Sequence, residues 1–246
     1  MVEYLDTSVG HRLAYHKTEG DGPGIVFLGG FMSDMSGTKA VFLEDWAKKQ
    51  GRAFLRFDYT GHGQSSGRFE DGCIGDWTED ALEALSKLTS GPQILVGSSM
   101  GGWIALLLAR SVPKRVHALI GIAAAPDFTE DSMWPGLSDA QRAEILEQGQ
   151  TSVPNAYDDT PYILTRRLFE DGKMQLVLRT ALNLPFPVRL MQGTDDEAVE
   201  TSVPLRLLDH ATCPDMRLTL VKDADHRFST PDCLAMITSA IAETSR

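Results

Sequence analysis

The chain has 246 residues, of which 42% are hydrophobic and 23% are charged, and its formal net charge is −11. This length and composition predict one soluble globular domain, with or without an insertion. The acidic balance and the scattered lysines and arginines argue against nucleic acid and anionic lipid as partners. No apolar run approaches the roughly 18 residues of a membrane span, so we expect no stable membrane insertion.

Three cysteines, Cys73, Cys213 and Cys233, follow neither a metal-ligand spacing nor a C-x-x-C pattern. We therefore expect reduced structural thiols and no metal site. The chain opens on "VEYLDTS", which lacks a basic region, an apolar region and an Arg-rich amphipathic stretch. These features predict a cytoplasmic protein without a signal or transit peptide.

Strand and helix patterns alternate along the first half of the chain. The stretch "EYLDTSVGHRLAYHK" is typical of a β-hairpin. Four apolar runs then predict buried strands, namely "GIVFLGG", "AFLRFDY", "QILVGSS" and "ALIGIAAA". Between them lie the helical patterns "GTKAVFLEDWAKKQG", "WTEDALEALSKL" and "GGWIALLLARSV". This alternation predicts an α/β fold with a mostly parallel central sheet and helices on both faces.

The alternation stops between about Asp127 and Leu184, where no buried-strand pattern is present. Two helical stretches lie there, "LSDAQRAEILEQG" and "TPYILTRRLFEDGK", and Ser138 and Gln141 have the spacing of a capping box. We predict a helical lid, residues 127–184, inserted into a single domain that spans residues 1–246. The α/β pattern resumes with "PVRLMQG", "SVPLRLLDHA" and "MRLTLVKDADH", and a last helix is predicted at "DCLAMITSAIAET".

Two adjacent serines follow the strand "QILVGSS". A G-x-S-x-G frame fits only Gly97-Ser98-Ser99-Met100-Gly101, so Ser99 is its central residue. Such a turn reverses a buried strand sharply into a helix and leaves the central serine at the apex. The helix N-terminus favours negative charge developing there. We predict Ser99 as a nucleophile and Ser98 as a structural hydroxyl.

A serine hydroxyl needs a base and a third group that orients the base. Only His210 and His226 follow Ser99 by enough chain to allow an intervening strand that carries an acid. His210 lies in a helical stretch, whereas His226 comes just after the strand of "LTLVKDADH". Catalytic groups of open α/β sheets collect at that edge. We therefore predict His226 as the general base.

The orienting acid should also follow a strand, and "VRLMQGTDDEAVE" offers Asp195, Asp196 and Glu197. We predict Asp196, because it fits a G-x-x-D-x-x-V frame in which Val199 is the apolar anchor. Asp195 is then a residue that caps the turn.

A tetrahedral oxyanion needs two N–H donors. The first is the backbone N–H of Met100, which follows the nucleophile. The second should come from the loop after "GIVFLGG", where the Phe31 N–H is the best candidate. Gly30 beside it lets the backbone approach a substrate closely.

Five motifs occur in one order along the chain: "FLGGF", "FDYTGHGQSSG", "VGSSMGGW", "GTDDEAV" and "DADHRFS". Together they resemble the α/β-hydrolase family. "SDMSGTKA" and "GPQILVGSSMGGW" are similar to a narrower branch, the mitochondrial palmitoyl-protein thioesterases that are also described as acyl-glucuronide esterases. The resemblance implies the same residues in the roles given above, ester or S-acyl substrates, and no cofactor.

We therefore predict a serine hydrolase that cleaves carboxylic esters or thioesters through an acyl-enzyme. Its partners are a small-molecule acyl ester or thioester, or an S-acylated protein. Two alternatives stay open: a C–C bond hydrolase or perhydrolase on the same fold, and a non-catalytic ligand-binding protein. Within the predicted lid, the candidate acyl contacts are Met133, Trp134, Tyr157, Tyr162 and Leu164.

Overall fold

A computed structural model describes residues 2–154 and 161–245 of the chain. In these residues a central sheet of eight strands has the order β1-β2-β4-β3-β5-β6-β9-β10. The strands β1 and β2 form an antiparallel pair, β2 runs antiparallel to β4, and every other neighbouring pair is parallel. The strands are β1 (Glu3–Asp6), β2 (Arg12–Thr18), β3 (Asp21–Leu28), β4 (Arg52–Phe57), β5 (Gln93–Ser98), β6 (Val116–Ile122), β9 (Val188–Gly193) and β10 (Met216–Val221).

Helices cover both faces of this sheet, as the alternating pattern predicts. On one face, the buried side chains of Leu43 and Ile237 belong to a core built by α1 and α8. On the other, Trp77 and Trp103 belong to a core built by α2 and α3. The helices outside the 127–184 segment are α1 (Thr38–Lys49), α2 (Ile74–Leu88), α3 (Met100–Ser111), α7 (Ser202–His210) and α8 (Pro231–Thr244). The short 3₁₀ helices Phe69–Asp71 and Pro113–Arg115 lie in connections.

The sequence explains why the central elements form where they do. All six residues of β5 are buried, since the strand lies between β3 and β6 with a helical layer on each face. Its continuous apolar pattern is what a doubly covered strand requires. The helix α8 begins at Pro231, and the Thr230 hydroxyl accepts a hydrogen bond from the Cys233 N–H, so the last helix has both a favoured first residue and a side-chain cap.

The segment 127–184 lies between β6 and β9 and is not entirely helical. It contains a π-helix (Thr129–Met133), α4 (Trp134–Gly136), α5 (Asp139–Gln148), β7 (Gln150–Val153), β8 (Tyr162–Thr165) and α6 (Arg166–Met174). The capping box of Ser138 and Gln141 at the start of α5 is present as predicted. The helix predicted for "TPYILTRRLFEDGK" is wrong in its first half, where β8 pairs antiparallel with β7. Four residues rich in aromatic and β-branched side chains suit a short strand, and Thr165 then caps α6.

A buried carboxylate ties the two ends of this segment together. Asp127 is completely buried and accepts hydrogen bonds from the Val177 N–H at 2.8 Å and the Leu178 N–H at 3.0 Å. The guanidinium of Arg179 lies 2.7 Å from the same carboxylate. The chain that leaves β6 is thereby bonded to the chain that returns to β9.

A buried ion pair fixes α1 to the sheet. Glu44 of α1 and Arg56 of β4 are 6% and 9% exposed, and a guanidinium nitrogen lies 2.7 Å from the carboxylate. Arg56 also donates to the Met35 carbonyl oxygen at 2.8 Å. Burial opposes ionisation of Glu44, but hydrogen bonds from Lys48, Arg56 and Thr18 prevail and lower the pKa of Glu44 to about 2.

We predict that Glu44→Gln lowers the free energy of unfolding by about 3 kcal/mol at neutral pH, because Arg56 keeps a buried charge without its partner. The pKa of Glu44 is lower in the folded protein than its ordinary value of 4.5. Its stabilisation is therefore complete above pH 4.5 and is lost as the pH falls towards 2. Urea denaturation across this range should show the difference between the two proteins shrinking. The exposed Glu19→Gln is the control, and an equal loss in it would contradict the prediction.

Candidate active site

Ser99 occupies a strained turn between β5 and α3. Its φ is 54° and its ψ is −118°, a conformation that residues with side chains rarely adopt. Its N–H donates to the Ile122 carbonyl oxygen at 2.9 Å, and its own carbonyl accepts the N–H groups of Gly102 and Ala125. The bonds to Ile122 of β6 and to Ala125 just after it hold the turn in place, so the strain at Ser99 is imposed by its surroundings.

The flanking glycines leave no space for a side chain. A Cβ atom on Gly97 would overlap the Gly101 carbonyl, and one on Gly101 would overlap the Leu28 carbonyl at the end of β3. The glycines of the G-x-S-x-G frame are therefore required by packing.

Asp196 and His226 form a hydrogen-bonded pair at the same edge of the sheet. Asp196 follows β9 and His226 follows the adjacent parallel strand β10, so both lie beyond carboxyl ends of strands. The Nδ1 atom of His226 lies 2.9 Å from Oδ2 of Asp196. The Asp196 side chain is completely buried, and the His226 side chain is 18% exposed.

Four donors surround the Asp196 carboxylate. Oδ1 accepts the backbone N–H groups of Ala198 and Val199, both at 2.9 Å, and Oδ2 accepts Nε2 of Gln192 at 2.7 Å in addition to His226. Burial disfavours the charged form, but the hydrogen bonds from His226 and Val199 outweigh it, and the pKa of Asp196 lies below its ordinary value. The group beside His226 is thus a carboxylate at neutral pH.

Ser99 and His226 line one cavity of about 1050 Å³. Its walls combine apolar side chains with polar ones from the loop after β3, the start of α1, the 127–184 segment and the loop after β10. The apolar members are Phe27, Phe31, Met32, Phe128, Met133 and Val199, and the polar ones include Ser33, Asp34, Thr38, Lys39, Ser132, Tyr162 and Ser229. A volume of this size accommodates a drug-sized or acyl-bearing ligand.

The loop after β3 runs beside Ser99. A Cβ atom on Gly30 would lie 3.5 Å from the Ser99 Cβ. Among the described residues, neither the Phe31 N–H nor the Met100 N–H donates a hydrogen bond to a protein acceptor. Met100 is the first residue of α3, where a backbone N–H has no acceptor within the helix. Both predicted oxyanion donors are therefore available for a ligand.

The Phe31 ring is held by aromatic neighbours from two parts of the chain. Its centroid lies 4.8 Å from that of Phe69 and 5.9 Å from that of Trp77, and 5.7 Å from Phe128 and 5.6 Å from Tyr162. Edge-to-face contacts of this kind stabilise ring positions. The segment 127–184 thus helps to fix the loop that carries the Phe31 N–H.

The predicted substrate contacts separate into three groups. Gly30, Met133 and Tyr162 line the cavity. Trp134 and Leu164 do not: the Trp134 ring packs against Phe169 at 5.0 Å, and Leu164 is buried in the core.

Tyr157 lies outside the described residues.

Lys39 and Gln192 also belong to the site, although they were not predicted from the sequence. The Lys39 ammonium lines the cavity and donates to the carbonyl of Arg227, next to His226. Burial lowers the pKa of Lys39 to about 8, against the opposing effect of Asp225. Lys39 lies within the stretch "SDMSGTKA", which by itself gives this residue no role, and only the position of Gln192 four residues before Asp196 could have suggested Gln192.

Residues 25–232 match the family described as "Alpha/beta hydrolase family". The chain belongs to the alpha/beta hydrolase family. The fold class predicted from the sequence is therefore confirmed. A solved structure from Agrobacterium vitis S4 has a TM-score of 0.95 to this chain at 38% identity, covering 100% of this chain and 99% of the other.

Similarity extends to the branch suggested by the sequence motifs. Mouse palmitoyl-protein thioesterase ABHD10, mitochondrial, is 37% identical over 227 residues, which cover 92% of this chain and 76% of the relative. The solved structure of mouse alpha/beta hydrolase domain-containing protein 10 has a TM-score of 0.90 at 34% identity, covering 99% and 97% of the two chains.

The predicted cytoplasmic location is wrong by this comparison. The mouse relative and its rat and human counterparts are all named as mitochondrial proteins. The prediction depended on the cysteines and on the absence of a targeting pattern and of a membrane-spanning run, none of which identifies a compartment. No helix of the described residues is long and apolar enough to cross a bilayer.

We predict that the free energy of unfolding of Ser99→Gly exceeds that of Ser99→Ala by about 1 kcal/mol, because glycine adopts a φ of 54° without strain. Ser99→Gly should therefore also unfold at the higher temperature. Both variants lack the hydroxyl, so the comparison isolates the backbone. Thermal unfolding of the two proteins side by side tests it. A less stable glycine variant would show that the turn is not strained.

Proposed function

We propose that this protein is a serine hydrolase that cleaves carboxylic esters or thioesters, with Ser99 as nucleophile, His226 as general base and Asp196 as orienting acid. The observation that carries the proposal is the 2.9 Å hydrogen bond between buried Asp196 and His226 in a cavity that Ser99 also lines. A hydroxyl, an imidazole and a carboxylate in this order are the elements of acyl transfer.

The first half of the reaction forms an acyl-enzyme. His226 takes the proton of the Ser99 hydroxyl as its oxygen attacks the acyl carbon. Asp196 stabilises the imidazolium that results, and the N–H groups of Phe31 and Met100 stabilise the oxyanion. The tetrahedral intermediate collapses, and the departing alcohol or thiol takes the proton from His226.

Water completes the reaction by the same route. His226 removes a proton from a water molecule as it attacks the ester carbonyl on Ser99. The second tetrahedral intermediate binds the same two N–H groups. Its collapse releases the carboxylic acid and returns the proton to Ser99, which restores the starting enzyme.

The cavity supports an acyl substrate with an apolar portion. Phe31, Phe128 and Met133 provide apolar surface, whereas Thr38 and Ser229 provide hydroxyl groups. The names of the relatives add thioesters of the palmitoyl type to the substrate classes. We therefore propose small-molecule acyl esters and thioesters, with S-acylated protein as a further substrate class.

We predict that Ser99→Ala lowers turnover of a p-nitrophenyl ester on the order of 10⁶-fold, since no other group supplies the nucleophile. A fluorophosphonate probe should label the unsubstituted protein and leave this variant unlabelled. Ser98→Ala is the matched control and should keep its labelling. Labelling that persists in Ser99→Ala would overturn the assignment, and a folded parent protein without any labelling would favour a ligand-binding role.

We predict that Asp196→Asn lowers kcat by about 10⁴-fold, because an amide neither stabilises an imidazolium nor fixes the correct tautomer of His226. Asp195 is exposed, its backbone N–H donates to the Ala224 carbonyl, and its side chain has no hydrogen bond to any described residue. Asp195→Asn should therefore change kcat little. Steady-state kinetics of both variants test the choice, and reversed effects would assign the acid to Asp195.

A further inference from the structure

Gln192 is a completely buried polar residue beside the Asp196 carboxylate. It is the residue before the last in β9. Its side-chain Nε2 donates to Oδ2 of Asp196 at 2.7 Å and to the carbonyl oxygen of Val199 at 2.9 Å. One amide group thus bonds to both ends of the turn Asp196–Val199.

The orientation of this amide is dictated by its neighbours. A carboxylate and a carbonyl oxygen can only accept, so the NH₂ group must face them. Its Oε1 is left buried without a hydrogen-bond partner among the described residues. An unsatisfied buried acceptor destabilises the folded state. A leucine or methionine would fill the same space without that cost, so packing alone does not account for the glutamine.

The donors to Asp196 differ in what they are attached to. The N–H groups of Ala198 and Val199 belong to the same turn as the carboxylate and move with it. Gln192 lies on β9, which is paired with β6 on one side and β10 on the other. The hydrogen bond from Gln192 therefore connects the Asp196 carboxylate to the central sheet. In the same sheet β6, the neighbour of β9, holds the Ser99 turn.

We infer that Gln192 is a positioning residue. It holds the Asp196 carboxylate against the His226 ring and so aligns this pair with Ser99. This inference rests on the proposed function, in which Asp196 orients the base. A misplacement of about 1 Å at such a group can cost on the order of 100-fold in rate. Both the rate and its dependence on pH should therefore respond to changes at Gln192.

Two variants and one control test this role. Gln192→Met keeps the volume and removes both donated bonds. Gln192→Glu keeps the shape and replaces the donor with an acid. Met191→Leu, a nearly isosteric change at the buried neighbour on the opposite side of β9, is the control. Each is measured for urea denaturation, for fluorophosphonate labelling rate, and for kcat and KM on p-nitrophenyl butyrate across the pH range.

We expect Gln192→Met to lower kcat by about 10- to 100-fold with little change in KM. Its free energy of unfolding should fall only modestly, because removal of the unsatisfied Oε1 offsets part of the loss of the donor to Asp196 and Val199. Met191→Leu should match the parent in all measurements.

Gln192→Glu gives the sharper signature. Burial and the adjacent carboxylate raise the pKa of the introduced glutamate above its ordinary value of about 4.3. Below that raised pKa the protonated acid donates to Asp196 as the amide does. Above it, two carboxylates repel, so activity relative to the parent should fall as the pH rises. Should Gln192→Met fail to fold, this variant decides the question.

Parent-like kcat in Gln192→Met would overturn the inference. So would a loss in Gln192→Glu that is constant across pH and matched by lost stability, since that describes packing only. The proposed function fails separately: in that case the parent protein itself neither labels nor hydrolyses the ester.

Discussion

The site depends on one constraint, the sharp reversal of β5 into α3 at Ser99. The turn holds a side-chain-bearing residue at a φ of 54° and needs bare backbone at Gly97 and Gly101. Strain of this kind persists only where the surrounding structure imposes it. Here β3 and β6 impose it, the first by packing against Gly101 and the second by hydrogen bonds to Ser99. The buried centre of the sheet therefore fixes the half-buried Ser99.

The parallel sheet brings distant residues to one edge. Ser99, Asp196 and His226 follow β5, β9 and β10, which run in the same direction. Their separation along the chain is large, but the order of the strands makes the edge common to all three. The fold thus provides the convergence, while local hydrogen bonds, above all those to Asp196, provide the alignment.

The sequence was most informative where backbone geometry restricts the residue type. Gly97 and Gly101 mark the Ser99 turn because no other residue fits, and continuous apolar runs mark the covered strands. The choice of Asp196 over Asp195 as the bonded carboxylate also agrees with the geometry, since only Asp196 contacts His226. The catalytic roles of these residues stay predictions.

Features that depend on tertiary contacts could not be predicted. The strand β8 is only four residues long and is followed directly by α6. Its short alternating pattern cannot be distinguished from the start of the helical pattern. The orientation of Trp134 and Leu164 depends on which partners the 127–184 segment packs against. Gln192 belongs to no motif, because its role comes from a tertiary contact: the turn after β9 brings the Asp196 carboxylate back to the Gln192 side chain.

The aromatic ring of Phe31 has a further consequence. Its neighbours Phe128 and Tyr162 come from the 127–184 segment, and Gly30 beside Phe31 lies next to Ser99. A displacement of this segment that carried Tyr162 away would also remove support from the Phe31 backbone, whose N–H stabilises the oxyanion in the proposed mechanism. The contacts of Phe128 and Tyr162 with Phe31 thus couple the position of this segment to that of the loop beside Ser99.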